Sequence, residues 1–130
     1  KALNLEKTVK FVEFSENIEN IYLEQDILCF PSLLMSPGRP IFEAGFYSIP
    51  SIAAISNPFN DTFVNGETGL TVNTSDYKDL AEKIMYLCDY PKIRKSMGKN
   101  AFLLANKNFN AKMNAKKLLF EYKKILSAHT

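Results

Sequence analysis

The sequence predicts an α/β domain built on a parallel sheet, with helices gathered at its C-terminal end. Short apolar runs rich in β-branched and aromatic residues alternate with amphipathic helical segments as far as residue 72. From residue 76 onward the pattern is helical only. The chain has 130 residues, of which 46% are hydrophobic and 23% charged, a composition typical of one globular domain.

The first predicted unit is a strand, a helix and a second strand. Residues 9–14 are β-branched and aromatic, and residues 26–30 form an apolar run that Pro31 ends. Between them, apolar side chains recur at helical spacing at Ile18, Ile21 and Tyr22. We therefore expect two parallel strands joined by a right-handed crossover.

The second unit repeats this pattern. A loop over residues 31–40, with three prolines and one glycine, leads into a helix that runs through Glu43 to Tyr47. A third strand is predicted over residues 49–55. Turns at residues 65–66 and 68–69 then precede a fourth strand over residues 70–72.

The last third, residues 76–127, is predicted to be a helical portion of the same domain. Thr74, Ser75 and Asp76 are capping candidates for a first helix that must end before Pro91. Its predicted apolar stripe consists of Tyr77, Leu80, Ala81, Ile84, Met85 and Cys88. A second helix is expected over residues 92–105, and a third, lysine-rich helix over residues 110–126.

Charge and cysteine content exclude several classes of protein. The 16 basic and 14 acidic residues leave a net charge of +2, too balanced for nucleic-acid binding through phosphate neutralisation. With no long apolar run and a polar start, the chain is expected to be cytoplasmic, and the last helix could touch an anionic membrane surface. Cys29 and Cys88 are expected to be reduced, buried thiols. No Cys/His cluster is present and the one histidine is His129, which excludes a zinc site by ligand count. No metal and no cofactor is expected.

The loop over residues 31–40 is the best candidate for a binding site, because ligands of parallel sheets bind outside the carboxyl ends of strands. Backbone amides of Gly38, Arg39 and Ile41 at the start of the following helix would form an anion site, with the Arg39 guanidinium beside them. Phosphate or pyrophosphate fits such a site. A rigid connecting loop with an exposed arginine is the alternative.

Glu43 lies one turn into the same helix among apolar residues. Its carboxylate could accept hydrogen bonds from a vicinal diol such as a ribose. Alternatively, the charge of Glu43 only stabilises the helix N-terminus, by about 0.3 to 1 kcal/mol.

Several short motifs, in their order and spacing, resemble one family. They are Pro31-Ser32, Gly38-Arg39 with Glu43-Ala44, residues 49–53, residues 65–70 (Asn-Gly-Glu-Thr-Gly-Leu) and Asp79-Leu80-Ala81. The sequence is similar to the C-terminal, donor-binding lobe of retaining glycosyltransferases with the GT-B fold. It most resembles the group 1 (family 4) type that builds bacterial O-antigen and capsule polysaccharides.

The resemblance assigns roles to individual residues. Glu43 matches the second glutamate of the family motif, which binds the ribose hydroxyls of a nucleotide-sugar donor. Gly38 and Arg39 match the loop that holds the donor sugar and diphosphate. Phe14 corresponds to a position near the base. Ser36 and Ile41 complete the implied donor site.

One position departs from the family pattern. The first glutamate of the motif, eight residues before Glu43, is replaced by Met35. A thioether cannot make the charge-assisted hydrogen bonds of a carboxylate, so no catalytic residue is assigned.

The resemblance implies a hexosyltransferase that moves a sugar from a nucleotide diphosphate sugar, with a UDP-sugar as the leading donor, to a lipid-linked or saccharide acceptor. It also implies a Rossmann-like lobe over residues 1–130 that is truncated at its N-terminal side and lacks the acceptor-binding lobe. We expect such a piece alone to be inactive, and its parent to be cytoplasmic or peripheral at the inner membrane. Two alternatives stay open: a noncatalytic α/β interaction or nucleotide-binding domain, and a fragment of a nucleotide-sugar epimerase.

Overall fold

The computed structural model describes residues 3–32, 38–54 and 61–128. The elements in these residues are α1 (Ile18–Leu23), β1 (Leu28–Phe30), α2 (Arg39–Phe46), β2 (Ser51–Ala53), β3 (Gly69–Thr71), α3 (Tyr77–Asp89), α4 (Pro91–Phe109) and α5 (Ala111–Ala128). This order confirms the predicted α/β class with helices at the C-terminal end.

The three strands form one parallel sheet in the order β1-β2-β3. Cys29 of β1 lies opposite Ile52 of β2, and Ser51 of β2 lies opposite Gly69 of β3. A Cβ atom on Gly69 would collide with the Ser51 carbonyl oxygen, so this register requires glycine there. Because parallel neighbours need a crossover, α2 supplies the connection between β1 and β2.

Helices cover both faces of the sheet, because successive residues of a strand point to opposite sides. Ile52 packs on one face in a buried cluster with Leu87 of α3 and Met97 of α4. Ala53 packs on the other face with Ile41 of α2 and with Phe63. This layering is that of a Rossmann-like lobe.

The strand predicted over residues 9–14 is wrong. These residues adopt neither helix nor strand, and their apolar side chains are exposed, with Phe11 at 94% and Phe14 at 92%. A β-branched and aromatic run forms a strand when it pairs with a neighbour and packs on a core, and these side chains do not pack on the core.

Helix α3 begins at the predicted cap, and its predicted apolar stripe is right only in part. The Asp76 side chain accepts hydrogen bonds from the amides of Lys78 and Asp79 at 3.1 and 3.0 Å. The fully buried side chain of α3 is Leu87, which the predicted stripe left out. Leu80 and Ile84 pack with it. The other stripe members, Tyr77, Ala81, Met85 and Cys88, are exposed.

Helix α4 holds α2 in place through close contacts. A Cβ atom on Gly98 would collide with the carbonyl oxygen of Ser48, just beyond α2. The rings of Phe42 and Phe109 stack with centroids 4.1 Å apart. These contacts fix the helix that carries Glu43.

The cysteines are free, as predicted, but both are exposed rather than buried. Cys29 lies in β1, one of the two edge strands of the described sheet, and does not belong to the buried cluster around Ile52. Partial burial, and to a smaller extent the charge of nearby Cys88, still raise the pKa of the Cys29 thiol.

Candidate donor-binding site

An open cavity of about 690 Å³ lies between residues 12–16, α1 and the first turn of α2. Its lining includes Val12, Phe14, Glu16, Ile21, Arg39 and Glu43. The structure thus brings three of the predicted site residues, Phe14, Arg39 and Glu43, to one cavity.

Glu43 lies at the rim of this cavity with both carboxylate oxygens hydrogen-bonded. Arg39 Nε donates to Glu43 Oε1 at 2.7 Å, and the Tyr22 hydroxyl donates to Oε2 at 3.0 Å. The Glu43 side chain is 28% exposed. A carboxylate held from two sides, with part of its surface open, has a fixed direction and lone pairs left to accept further hydrogen bonds.

Tyr22 is a site residue that the sequence did not reveal. Its ring is buried and stacks on Tyr47 with centroids 5.3 Å apart and planes 14° apart. Burial, the hydrogen bond to Glu43 and the charge of Glu43 raise the pKa of Tyr22 to about 12. At neutral pH the hydroxyl is therefore a proton donor to Glu43. In the sequence, helical spacing placed Tyr22 among the apolar positions of α1. Its hydroxyl was the only feature that indicated a hydrogen-bond partner.

Arg39 is the first residue of α2 and pairs with Glu43 one turn later. Its side chain is 80% exposed. An exposed i,i+4 ion pair of this kind contributes only about 0.3 to 0.5 kcal/mol. The guanidinium is therefore held to Glu43 loosely enough to take another partner.

The structure contradicts one member of the predicted cluster of outward-facing amides, that of Ile41. Gly38 is buried at the N-cap position with φ 67°, a left-handed conformation that favours glycine. Its carbonyl accepts a 2.8 Å hydrogen bond from the Ile41 amide, and the Ile41 side chain packs in the core with Ala53 and Phe63. The prediction of an outward-facing Ile41 amide is wrong, because the first turn of α2 uses that donor itself. Pro40 supplies no N–H.

Met35 and Ser36 lie outside the described residues, as does His129. The predicted places of Met35 and Ser36 relative to Glu43 stay predictions.

A smaller cavity, of about 140 Å³, opens at the carboxyl ends of all three strands. It is lined by Pro31 after β1, Ala54 after β2 and Asn73 after β3, and by Asp76, which caps α3, and Leu80 of α3. This is the sheet edge at which parallel-sheet proteins bind ligands. The sequence analysis named Thr74, Ser75 and Asp76 only as capping candidates and predicted no binding site around Asn73.

In residues 3–32, 38–54 and 61–128 no group of three or more His, Cys, Asp or Glu side chains is placed to hold a metal ion. In the same ranges no helix combines the length and apolar character needed to cross a membrane.

Comparison with known proteins places this geometry in context. The family model described as "Glycosyl transferases group 1" matches residues 1–103. A capsular polysaccharide biosynthesis glycosyltransferase of Staphylococcus aureus is 30% identical over 94 residues, which are 72% of this chain and 25% of that protein.

Two solved structures show the same fold. A sucrose-phosphate synthase from Thermosynechococcus elongatus superposes with a TM-score of 0.88 at 27% identity, over 96% of this chain and 32% of its own. An Anabaena protein, HepE, solved in complex with UDP-glucose, superposes with a TM-score of 0.86 at 23% identity, over 94% of this chain and 34% of its own. The chain thus spans a quarter to a third of the proteins it resembles.

Proposed function

The chain belongs to the glycosyl transferases group 1 family, and we propose that it forms the donor-binding part of an enzyme that transfers a sugar from a nucleotide diphosphate sugar. One observation carries the proposal. Glu43 is oriented by Tyr22 and Arg39 at the rim of a cavity of about 690 Å³, one turn beyond the left-handed Gly38. A carboxylate so placed is suited to accept hydrogen bonds from the two adjacent hydroxyls of a ribose.

We propose a UDP-sugar as the donor, with Phe14 beside the base and the start of α2 near the diphosphate. The Anabaena HepE structure, which shares this fold, holds UDP-glucose. In this chain Phe14 is 92% exposed and lines the same cavity as Glu43. An exposed aromatic ring offers a base a surface for stacking.

The proposed reaction is a retaining hexosyl transfer. The bond between the anomeric carbon and the diphosphate oxygen breaks, and the nucleoside diphosphate departs with the electron pair. An acceptor oxygen bonds to the same face of that carbon, and its proton passes to the departing diphosphate oxygen. Catalysis would come from electrostatic stabilisation of the departing diphosphate and of the oxocarbenium-like sugar in a cleft from which water is excluded. Because Met35 replaces the carboxylate expected near the sugar, we assign sugar recognition to other residues of the protein.

The acceptor and pathway are proposed from the relatives. The similar protein of S. aureus is described as acting in capsular polysaccharide biosynthesis. We propose that this protein serves O-antigen or capsule assembly, with a lipid-linked or saccharide acceptor at the cytoplasmic side of the inner membrane. The lysines on α5 suit a peripheral contact with anionic lipid.

Titration of UDP, UDP-sugars and GDP-sugars into the full-length protein tests the proposal. We expect UDP and at least one UDP-sugar to bind the wild type, and Glu43→Ala to weaken binding at least about tenfold, as loss of a charged hydrogen-bonding group does. Glu121→Ala, which removes an exposed carboxylate on α5, is the matched control and should bind as the wild type does. Equal affinities of the wild type and Glu43→Ala would contradict the ribose role of Glu43.

A further inference from the structure

The ion pair between Arg39 and Glu43 stands in the way of the ligand proposed for Glu43. Arg39 Nε occupies Oε1 at 2.7 Å, and the Tyr22 hydroxyl occupies Oε2 at 3.0 Å. A ribose hydroxyl that approaches Oε1 along the direction Arg39 Nε uses must therefore compete with the guanidinium, while the second lone pair of each oxygen stays open. Binding of a ribose and release of Arg39 are linked by this geometry.

The two groups that hold Glu43 differ in how firmly they are fixed. Tyr22 is 7% exposed and its ring is stacked on Tyr47, so its hydroxyl cannot move far. The Arg39 side chain is 80% exposed and its ion pair is of the weak i,i+4 kind. Arg39 is therefore the partner that can leave, while Tyr22 keeps the carboxylate in place.

The charges of the residues that line the cavity indicate which new partner the Arg39 guanidinium would bind. Of the described residues that line the cavity, Arg39 is the one with a positive charge, and Glu13, Glu16 and Glu43 line the same cavity. A diphosphate entering this cavity meets that single cation. A guanidinium binds phosphate oxygens through two parallel charge-assisted hydrogen bonds, whereas a single Nε contact joins it to Glu43 here.

We propose that the Arg39–Glu43 ion pair is a self-blocking contact that the diphosphate of a nucleotide relieves. The guanidinium moves from Glu43 Oε1 to the phosphate oxygens, and the freed Oε1 accepts a ribose hydroxyl. The diphosphate and ribose subsites are thereby coupled, so that a nucleoside without phosphates meets a carboxylate on which Arg39 already takes one lone pair of Oε1. This inference rests on the proposed nucleotide site and adds the coupling to it.

Binding of UDP and of uridine to the wild type and to Arg39→Leu tests the coupling. We expect Arg39→Leu to bind UDP at least about tenfold more weakly, because a charged hydrogen-bonding partner of the phosphates is lost. We expect the same variant to bind uridine about twofold more tightly, because Glu43 is no longer occupied. Calorimetry suits UDP, and ligand-observed NMR suits the weaker nucleoside. Lys99→Leu, which removes an exposed positive charge on α4, is the matched control.

Opposite changes for the two ligands support the proposal. If Arg39 only binds phosphate, uridine affinity stays unchanged, and if Arg39 only supports the structure, both affinities fall; either result overturns the coupling. Suppose that the wild type binds UDP and Glu43→Ala binds it more weakly, but Arg39→Leu does not change uridine affinity. That result would overturn the coupling and leave the proposed function standing. Failure of the wild type to bind any nucleotide would contradict the proposed function itself.

Discussion

The Tyr22 hydroxyl donates a 3.0 Å hydrogen bond to Glu43 Oε2 across 21 positions of the chain. This hydrogen bond joins α1 to α2 at the rim of the cavity. Tyr47, at the end of α2, stacks against the Tyr22 ring. The direction of the Glu43 carboxylate therefore depends on a residue whose ring belongs to the core.

Tyr22→Phe should weaken nucleotide binding without unfolding the domain. The ring that packs on Tyr47 is kept, and only the hydrogen bond to Glu43 is lost, which amounts to about 0.5 to 1.5 kcal/mol or roughly a two- to tenfold loss of affinity. Calorimetric titration with UDP measures the change. Tyr86→Phe, which alters an exposed tyrosine of α3, should leave affinity unchanged. If both variants bind alike, Tyr22 does not orient Glu43.

The raised pKa of Tyr22 predicts a pH dependence of stability at alkaline pH. Its pKa of about 12 in the folded protein lies above the ordinary value of 10, so the folded state keeps this proton more tightly than the unfolded state. The resulting stabilisation is fully present below pH 10 and is lost as the pH rises from 10 to 12.

Urea unfolding of the wild type and Tyr22→Phe at several pH values checks this prediction. Differences between the two proteins remove the contribution of the other titrating groups. The difference in free energy of unfolding should be constant up to about pH 9 and then shift in favour of the variant. A difference that does not vary with pH would contradict the environment described for Tyr22.

Gly98→Ala should destabilise the fold although alanine favours helices. The new Cβ would collide with the Ser48 carbonyl oxygen, so α4 must move away from the end of α2. We expect a loss of about 1 to 3 kcal/mol, as overpacking gives. Gly66→Ala offers a comparison, because Gly66 has φ 80° with nothing within 4 Å, and only backbone strain of about 1 to 2 kcal/mol applies.

These two variants differ in what they do to the site as well as to stability. Gly98→Ala should also lower UDP affinity, since it displaces the helix that carries Glu43, whereas Gly66→Ala should not. Thermal unfolding and UDP titration of both variants provide the test. A Gly98→Ala protein as stable as the wild type would contradict the close approach of α4 to Ser48.

Leu87→Ala should cost about 2 to 5 kcal/mol, because Leu87 is fully buried against Ile52 and Met97. Met85→Ala, two residues earlier on the same helix, should change stability by less than about 0.5 kcal/mol, because Met85 is 57% exposed. Urea unfolding of both measures the difference. Similar losses would mean that α3 presents another face to the sheet.

Much of the fold could be predicted from local signals. Pro31 and Pro91 bounded elements, Asp76 capped α3, and apolar periodicity located the helices, because each of these effects acts within a few residues. The prediction of a strand over residues 9–14 was wrong because a strand needs a neighbouring strand to pair with, and the local sequence does not show whether the fold supplies one. The buried face of α3 was predicted only in part: Leu80 and Ile84 pack on the core as expected, but apolar residues surround that helix and packing on β2 adds Leu87 in place of the rest of the stripe.

Contacts of the candidate site within one segment could be predicted from the sequence, whereas contacts between separate elements could not. Arg39 and Glu43 are four residues apart on one helix, so their pairing follows from helical geometry. Tyr22 comes from another element, and no periodicity in the sequence relates it to Glu43. The use of the Ile41 amide within α2 likewise depends on the conformation of Gly38.

A thermodynamic cycle on the ribose most directly tests the role of Glu43. UDP and its 2′,3′-dideoxy analogue are titrated into the wild type and into Glu43→Gln, which keeps the size of the side chain. The wild type should prefer UDP by at least about tenfold, and Glu43→Gln should lose most of that preference while binding the dideoxy analogue as the wild type does. An equal preference in both proteins would show that the ribose hydroxyls do not meet Glu43.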